Sequence, residues 1–153
     1  MSNAFADLTA APLLFKYGAK TYEVSPLDQS DWGHFARCAQ FSNYYAVAAL
    51  PNMPPERVDD VFNKCLATPV DITSPQCFAF ANTVEGGIEF VYLSLRHKQP
   101  NIDRQEIAAF STPTMESLYK LIMAISLTIT GNEDAKKKAV ETIASMKESN
   151  LLA

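Results

Sequence analysis

Reactive and metal-ligating side chains are sparse in this chain of 153 residues. They are Cys38, Cys65 and Cys77, the histidines His34 and His97, and two carboxylate doublets, Asp59-Asp60 and Glu133-Asp134. Thiolates and imidazoles act as nucleophiles, bases or zinc ligands when the chain brings several of them to one point. Here the cysteine count is odd, the spacings are wide and no CxxC pair occurs. Neither a disulfide framework nor a zinc site is expected, and the reading is of reduced, mostly buried thiols in a cytosolic protein. The two histidines form no metal-spaced pair, and neither an HExxH helix nor a GxSxG elbow is present. The carboxylate doublets read as helix surface and first-turn charge. Gly86-Gly87 lacks the GxGxxG or GK[ST] context that cradles phosphate, and Lys136-Lys137-Lys138 follows two acids and reads as a solvated face. No catalytic residue, no cofactor-binding residue, no cofactor and no metal ligand is expected, so the chain reads as a non-enzyme.

Charge narrows the partners. Thirteen Lys and Arg against 17 Asp and Glu leave a formal net charge of −4, whereas a dedicated nucleic-acid binder needs a basic face. The length suits one domain over residues 1–153. The opening MSNAFADLTAAPLLF has no basic n-region and carries Asp7, unlike a secretory leader. The longest apolar run, Leu121–Ile129, falls well short of the roughly 20 residues that a membrane-spanning helix needs. Neither nucleic acid nor membrane is expected as a partner, and the expected location is the cytoplasm.

The elements that would position any site follow from periodicity. Leu13–Tyr17 and Thr21–Val24 flank a short Gly18-Ala19-Lys20 turn and predict a β-hairpin over 13–25, ended by Pro26. A helical core is expected over 30–130. Asp28 or Ser30 caps its first helix, which bears Trp32, Phe35, Ala36, Ala39, Tyr44, Tyr45, Val47 and Ala48 and is broken by Pro51–Pro55. Pro55 opens a short helix with Val58, Val61, Phe62 and Leu66. Ser74-Pro75 starts a single long helix whose stripe runs from Cys77 to Leu95, with Gly86-Gly87 as a kink or as a place of close helix approach. Asp103 and Glu106 spell a capping box, flanked by Ile102 and Ile107 as a hydrophobic staple. Thr112-Pro113 opens a helix with Leu118, Leu121, Ile122, Ile125 and Ile129 on one face, closed by Gly131. Asn132 caps a last helix over 132–149 with a thin stripe at Ala139, Val140, Ile143 and Met146. The fold expected is mainly α: one helical domain of about five to six helices with an N-terminal β-hairpin.

Such a protein acts through surfaces. Its candidate partner-binding residues are the surplus aromatics Trp32, Tyr44 and Tyr45 and the thin C-terminal stripe Val140, Ile143 and Met146. Core packing is the competing role for each. Residues Asp103–Ile125 also have the outline of a helix-turn-helix DNA reader, although Glu116 and Lys120 leave the second helix poor in phosphate-neutralising charge.

Two stretches resemble tail assembly chaperones of tailed bacteriophages. In Gly18–Gln40 the family's G-x-x-Y-x-V hairpin, followed by a Pro-Leu pair entering the first helix, is matched by Gly18, Tyr22 (offset by one), Val24, Pro26 and Leu27. In Val91–Phe110, an apolar helix ending in L-x-L-R, a P-D-I-T turn and an E-E-I/V helix start are matched by Leu93, Leu95, Arg96, Pro100, Asn101, Ile102, Asp103, Glu106 and Ile107. Asn101 stands for the usual Asp and Asp103 for the usual Thr, which keeps the turn and capping chemistry. The matches cover less than a third of the chain. The resemblance implies a small acidic helical protein that binds a phage tail or tape-measure protein in the host cytoplasm, with self-association also possible, and shields apolar helices until tail-tube subunits replace it. A structural component of the virion tail or baseplate is the alternative within the same setting.

Overall fold

The computed structural model describes residues 12–127 and 133–152. The N-terminal segment read as no leader therefore lies almost wholly outside the described residues, as do Ile129, Gly131 and Asn132. Among the described residues the chain is mainly helical, with an N-terminal two-stranded antiparallel hairpin and seven helices. In order these are β1 (Leu13–Tyr17), β2 (Lys20–Val24), α1 (Gln29–Ala48), α2 (Pro55–Ala67), α3 (Pro75–Ala81), α4 (Val84–Leu95), α5 (Arg104–Ala108), α6 (Thr112–Leu127) and α7 (Glu133–Glu148).

The helix count exceeds expectation because the single helix expected from Ser74 to Leu95 is two. The apolar stripe continues across the break, so periodicity alone does not reveal it. Asn82 and Thr83 interrupt the helix, and the Thr83 hydroxyl then caps α4 by accepting the Gly86 N–H at 3.0 Å while donating to the Phe80 carbonyl at 2.6 Å. A Cβ on Gly86 would lie 1.8 Å from that carbonyl oxygen. Gly86 is therefore the close-approach glycine of a helix–helix corner, and Gly87, with nothing near its missing Cβ, is incidental to it. At the other end of α3, Ser74 occupies the N-cap position but makes no side-chain cap; its hydroxyl instead accepts the Asp71 N–H at 3.0 Å.

The described residues fall into two compact units. The hairpin unit takes the residues up to Asp28 and those from Ile88 onward; the insert unit is Gln29–Gly87. Neither boundary falls in a Pro-, Gly- and Ser-rich linker. Gln29 opens α1, and Gly87 lies inside α4.

In the hairpin unit, Tyr17 pairs with Lys20 across a two-residue turn in which Gly18 has φ 60°. A positive φ at the first turn position is the type II′ pattern that matches strand twist and suits glycine. An isolated hairpin is marginal in water, and this one is held on three sides. Its apolar face sends Phe15, Tyr17 and Tyr22 around Phe110, with ring centroids 6.4, 4.7 and 5.4 Å away. The outer edge of β1 receives the chain end, where Lys16 N–H donates to the Leu151 carbonyl at 2.9 Å and Phe15 bridges Leu152. The outer edge of β2 is sealed by side chains. The Gln99 amide accepts the Glu23 N–H at 2.7 Å and donates to the Glu23 carbonyl at 3.1 Å. Two residues on, the Ser94 hydroxyl accepts from Ser25 N–H and donates to the Ser25 carbonyl; then Ser126 accepts the Leu27 N–H at 2.9 Å. Edge strands expose unpaired backbone groups at every second residue, and these three side chains meet residues 23, 25 and 27 in that rhythm.

The core of this unit is the expected one. α6 buries Leu118, Leu121, Ile122 and Ile125, and α7 packs against it with Ala139, Ile143 and Met146. Each of the large side chains contributes roughly 1.5–3 kcal/mol through burial. α7 ends on Asn150 at φ 58°, with Leu151 N–H bonded to the Met146 carbonyl and Asn150 N–H to the Lys147 carbonyl. That bond pair is the Schellman closure, with asparagine in the left-handed position usually given to glycine. The start of α5 keeps half of its expected capping box. Asp103 accepts the Glu106 N–H at 2.7 Å, but the Glu106 carboxylate turns to the hairpin, where it accepts from Lys20 Nζ at 2.8 Å and from the Tyr22 hydroxyl at 2.7 Å. Ile102 and Ile107, the staple pair, are both buried.

In the insert unit, α1 packs against both α2 and α3. Phe41 and Tyr44 meet Phe62 at 5.6 and 5.1 Å, Phe35 meets Phe80 at 5.3 Å, and Gln40 donates to the Cys65 carbonyl at 2.8 Å.

Candidate functional site

The insert unit contains an open groove of about 790 Å³ walled by α1, α2, α3 and the first turn of α4. Its walls are built mainly from small and uncharged residues. Ala39, Ser42, Asn43 and Ala46 come from α1, with Cys65 and Thr68 opposite and Gln76, Ala79 and Phe80 from α3; Lys64 and Glu85 are the charged members. These positions recur at helical spacing, so a run of short side chains on one face of α1 leaves a trough where larger ones would fill it.

The insert unit also exposes large apolar side chains, of which Val84 lines the groove. Among the described residues, seven of the eight exposed large apolar ones lie in the insert unit: Tyr45, Leu50, Phe62, Leu66, Ile72, Phe78 and Val84. Single exposed apolar residues are ordinary on any protein, whereas their concentration marks an interaction surface. α2 shows why. Val58, Val61, Phe62, Cys65 and Leu66 follow amphipathic spacing, yet only Cys65 is buried, and Leu66 remains 51% exposed. A helix whose apolar stripe is half covered has packed one flank and kept the other.

The six expected contact residues divide. Tyr45, 61% exposed, stands on the surface, with Tyr44 half-buried beside it at 5.4 Å between centroids. Trp32 and Val140 are half-buried. Ile143 and Met146 are buried, in the core role weighed against partner contact. The α7 stripe looks thin because only one narrow face is apolar, and that face packs against α6 through Ala139, Ile143 and Met146 while Val140 stays half-buried. Residues that sequence reasoning left out are Phe62, Leu66, Phe78 and Val84. Their apolar spacing was visible, but amphipathic spacing reads first as core.

The exposed charges of α6, the helix of the helix-turn-helix outline, are Glu116 and Lys120, while seven of its residues are buried. The partner helix of that outline, α5, has five residues.

Polar chemistry concentrates in the hairpin unit. Glu106 is held below the ordinary carboxylate range, first by the Lys20 hydrogen bond and then by that of Tyr22. Burial, reinforced by the Glu106 carboxylate, pushes the Tyr22 phenol up to about 12. The nearly buried Glu89 makes a two-pronged ion pair with Arg104 at 2.6 and 2.9 Å, and the guanidinium lies 4.0 Å from the centre of the Tyr92 ring. These groups tie α5 to the hairpin and to α4. Lys136 pairs with Glu133 at 3.3 Å, in keeping with a solvated charged face. The three thiols form no disulfide; Cys65 and Cys77 are buried and Cys38 is half-buried, its Sγ 3.5 Å from His34 Nε2. No helix among the described residues is long and apolar enough to cross a membrane.

Comparison with protein-family models, with characterised proteins and with solved structures finds no match to this chain.

Proposed function

We propose that this protein is a non-enzymatic assembly factor of the phage tail-chaperone type, which binds an apolar helical segment of a tail or tape-measure protein through its insert unit. The observation that carries this reading is the concentration of exposed apolar side chains on the insert unit, which also holds the groove between α1, α2 and α3. An amphipathic client helix lays its apolar face into such a trough and is read at i, i+3, i+4 and i+7 spacing. The neutral, small-residue walls suit large aliphatic anchors and leave the grip reversible, because no buried charge pair has to be broken on release. The resemblance supplies the biological setting, and the part of its first stretch up to Asp28 lies with its second stretch in the hairpin unit, where Tyr22 meets Glu106 and Ser25 meets Ser94.

Co-expression with a phage tape-measure protein tests the proposal. The client is expected to become soluble and to copurify, and the double substitution Phe62→Asp with Leu66→Asp is expected to lower client capture at least tenfold while the fold persists. Unchanged client solubility in the presence of the chain would refute the chaperone reading. Mass spectrometry of purified particles separates it from the virion-component alternative, since a departing chaperone is absent from mature particles. The DNA-reading alternative draws no support from the exposed charges of α6, and no salt-sensitive gel shift is expected.

A further inference from the structure

The long helix α1 carries an imidazole and a thiol four residues apart. Residues at that spacing are neighbours on a helix surface, and His34 Nε2 and Cys38 Sγ lie 3.5 Å from one another. Both side chains are half-buried, so they are accessible to an ion yet sheltered from bulk water. Zinc binds thiolate at about 2.3 Å and imidazole at about 2.0–2.1 Å. At a tetrahedral angle those bonds set sulfur and nitrogen about 3.5 Å apart. The helix thus holds the two ligand atoms at the separation a shared tetrahedral ion requires.

We propose that His34 and Cys38 supply two ligands to a soft divalent cation of the zinc class. Binding forms one metal–sulfur and one metal–nitrogen bond, and the thiol proton leaves to solvent without any change of oxidation state. Cys38 is the thiol suited to this in the insert unit. Cys65 and Cys77 are buried, and burial, with the nearby Asp71 charge, pushes the Cys77 thiol up and away from thiolate. The sequence pattern was visible as His-x-x-x-Cys, but pairs of cysteines or of histidines draw attention before a mixed pair does. The site is independent of the client-binding reading.

Cobalt(II) added to the reduced, metal-free full chain tests it, since a thiolate–cobalt bond produces a near-ultraviolet charge-transfer band. The band is expected in the wild type and in Cys65→Ala, is expected to be displaced by zinc, and is expected to vanish in Cys38→Ala. His34→Ala is expected to weaken binding by about tenfold or more. A second readout needs no variant: zinc is expected to slow alkylation of Cys38, assigned by peptide mapping, and to leave Cys65 and Cys77 unaffected. No band at millimolar cobalt, a band that survives Cys38→Ala, or Cys38 alkylation indifferent to zinc would overturn the proposal. Any of those results would leave the pair as a thiol–imidazole contact without a metal-binding role.

Discussion

Gly86 and Gly87 are adjacent in one helix and have opposite requirements. A methyl group at Gly86 would collide with the backbone of Phe80, which has no flexible side chain to move aside. Gly86→Ala is therefore expected to destabilise the protein by about 1–3 kcal/mol, the ordinary cost of overpacking, as read from the urea midpoint. Gly87→Ala meets nothing within 4 Å and is expected to stabilise by up to about 1 kcal/mol through helix propensity. The Tyr22–Glu106–Lys20 cluster makes a prediction of the same kind for pH. Folding lowers the pKa of Glu106 below 4.5, so its contribution is present above that value and is lost as pH falls through the folded-state pKa. Tyr22 moves the other way, from 10.0 up to about 12. Its contribution is complete below pH 10 and is lost as pH rises from there towards 12. Thermal unfolding across pH is expected to show an acid limb missing in Glu106→Gln and an alkaline limb missing in Tyr22→Phe. A Tyr22→Phe protein that keeps the whole alkaline limb would show that the limb belongs to other groups.

At the scale of elements, boundaries with their own local chemistry could be read from the sequence, and those set by distant partners could not. Asp103 caps α5 as its D-x-x-E context foretold, and Asp103→Ala is expected to cost about 1 kcal/mol. Glu106, the other half of the same motif, is diverted by Lys20 and Tyr22, which lie more than eighty residues away in the chain. No local pattern encodes that choice. The break between α3 and α4 escaped for a related reason. Its apolar stripe runs on unbroken, and only Thr83 followed three residues later by Gly86 marks the corner. The C-terminal closure was missed because asparagine is a weaker stop signal than glycine, although Asn150 adopts the same left-handed φ. Gln99 is the clearest case, since nothing about a glutamine after a helix announces that it stands in for a β-strand. Gln99→Ala leaves both edge groups of Glu23 unpaired. It is expected to destabilise by about 1–3 kcal/mol and to raise self-association at high concentration, as measured by sedimentation.

For the whole molecule, burial is distributed unevenly. α1, α2 and α3, which are 20, 13 and 7 residues long, together bury six residues: Asp31, Phe35, Ala36, Ala39, Cys65 and Cys77. α6 alone buries seven in 16 residues. Local stability follows buried apolar contact, so amides in the insert unit are expected to exchange with deuterium faster than those of α6, and to slow when a client helix is bound. The helical class and the hairpin were legible because periodicity and turn residues declare them. The division into two units was not, because its boundaries fall at the first residue of α1 and inside α4, where the helical pattern runs through without a linker.

That division has a consequence for how the chain is made. The hairpin leaves the ribosome before the insert, yet Ser94, Gln99, Phe110 and Leu152, which cover it, are encoded beyond the whole insert. At about 5–20 residues per second, both strands wait on the order of several seconds with their edges unprotected, while the insert already has all of its own sequence. The insert is free to fold during that interval. Nascent chains stalled just after Gly87 are expected to show a folded insert beside a protease-sensitive hairpin. The groove between α1, α2 and α3 would then be complete before the hairpin unit.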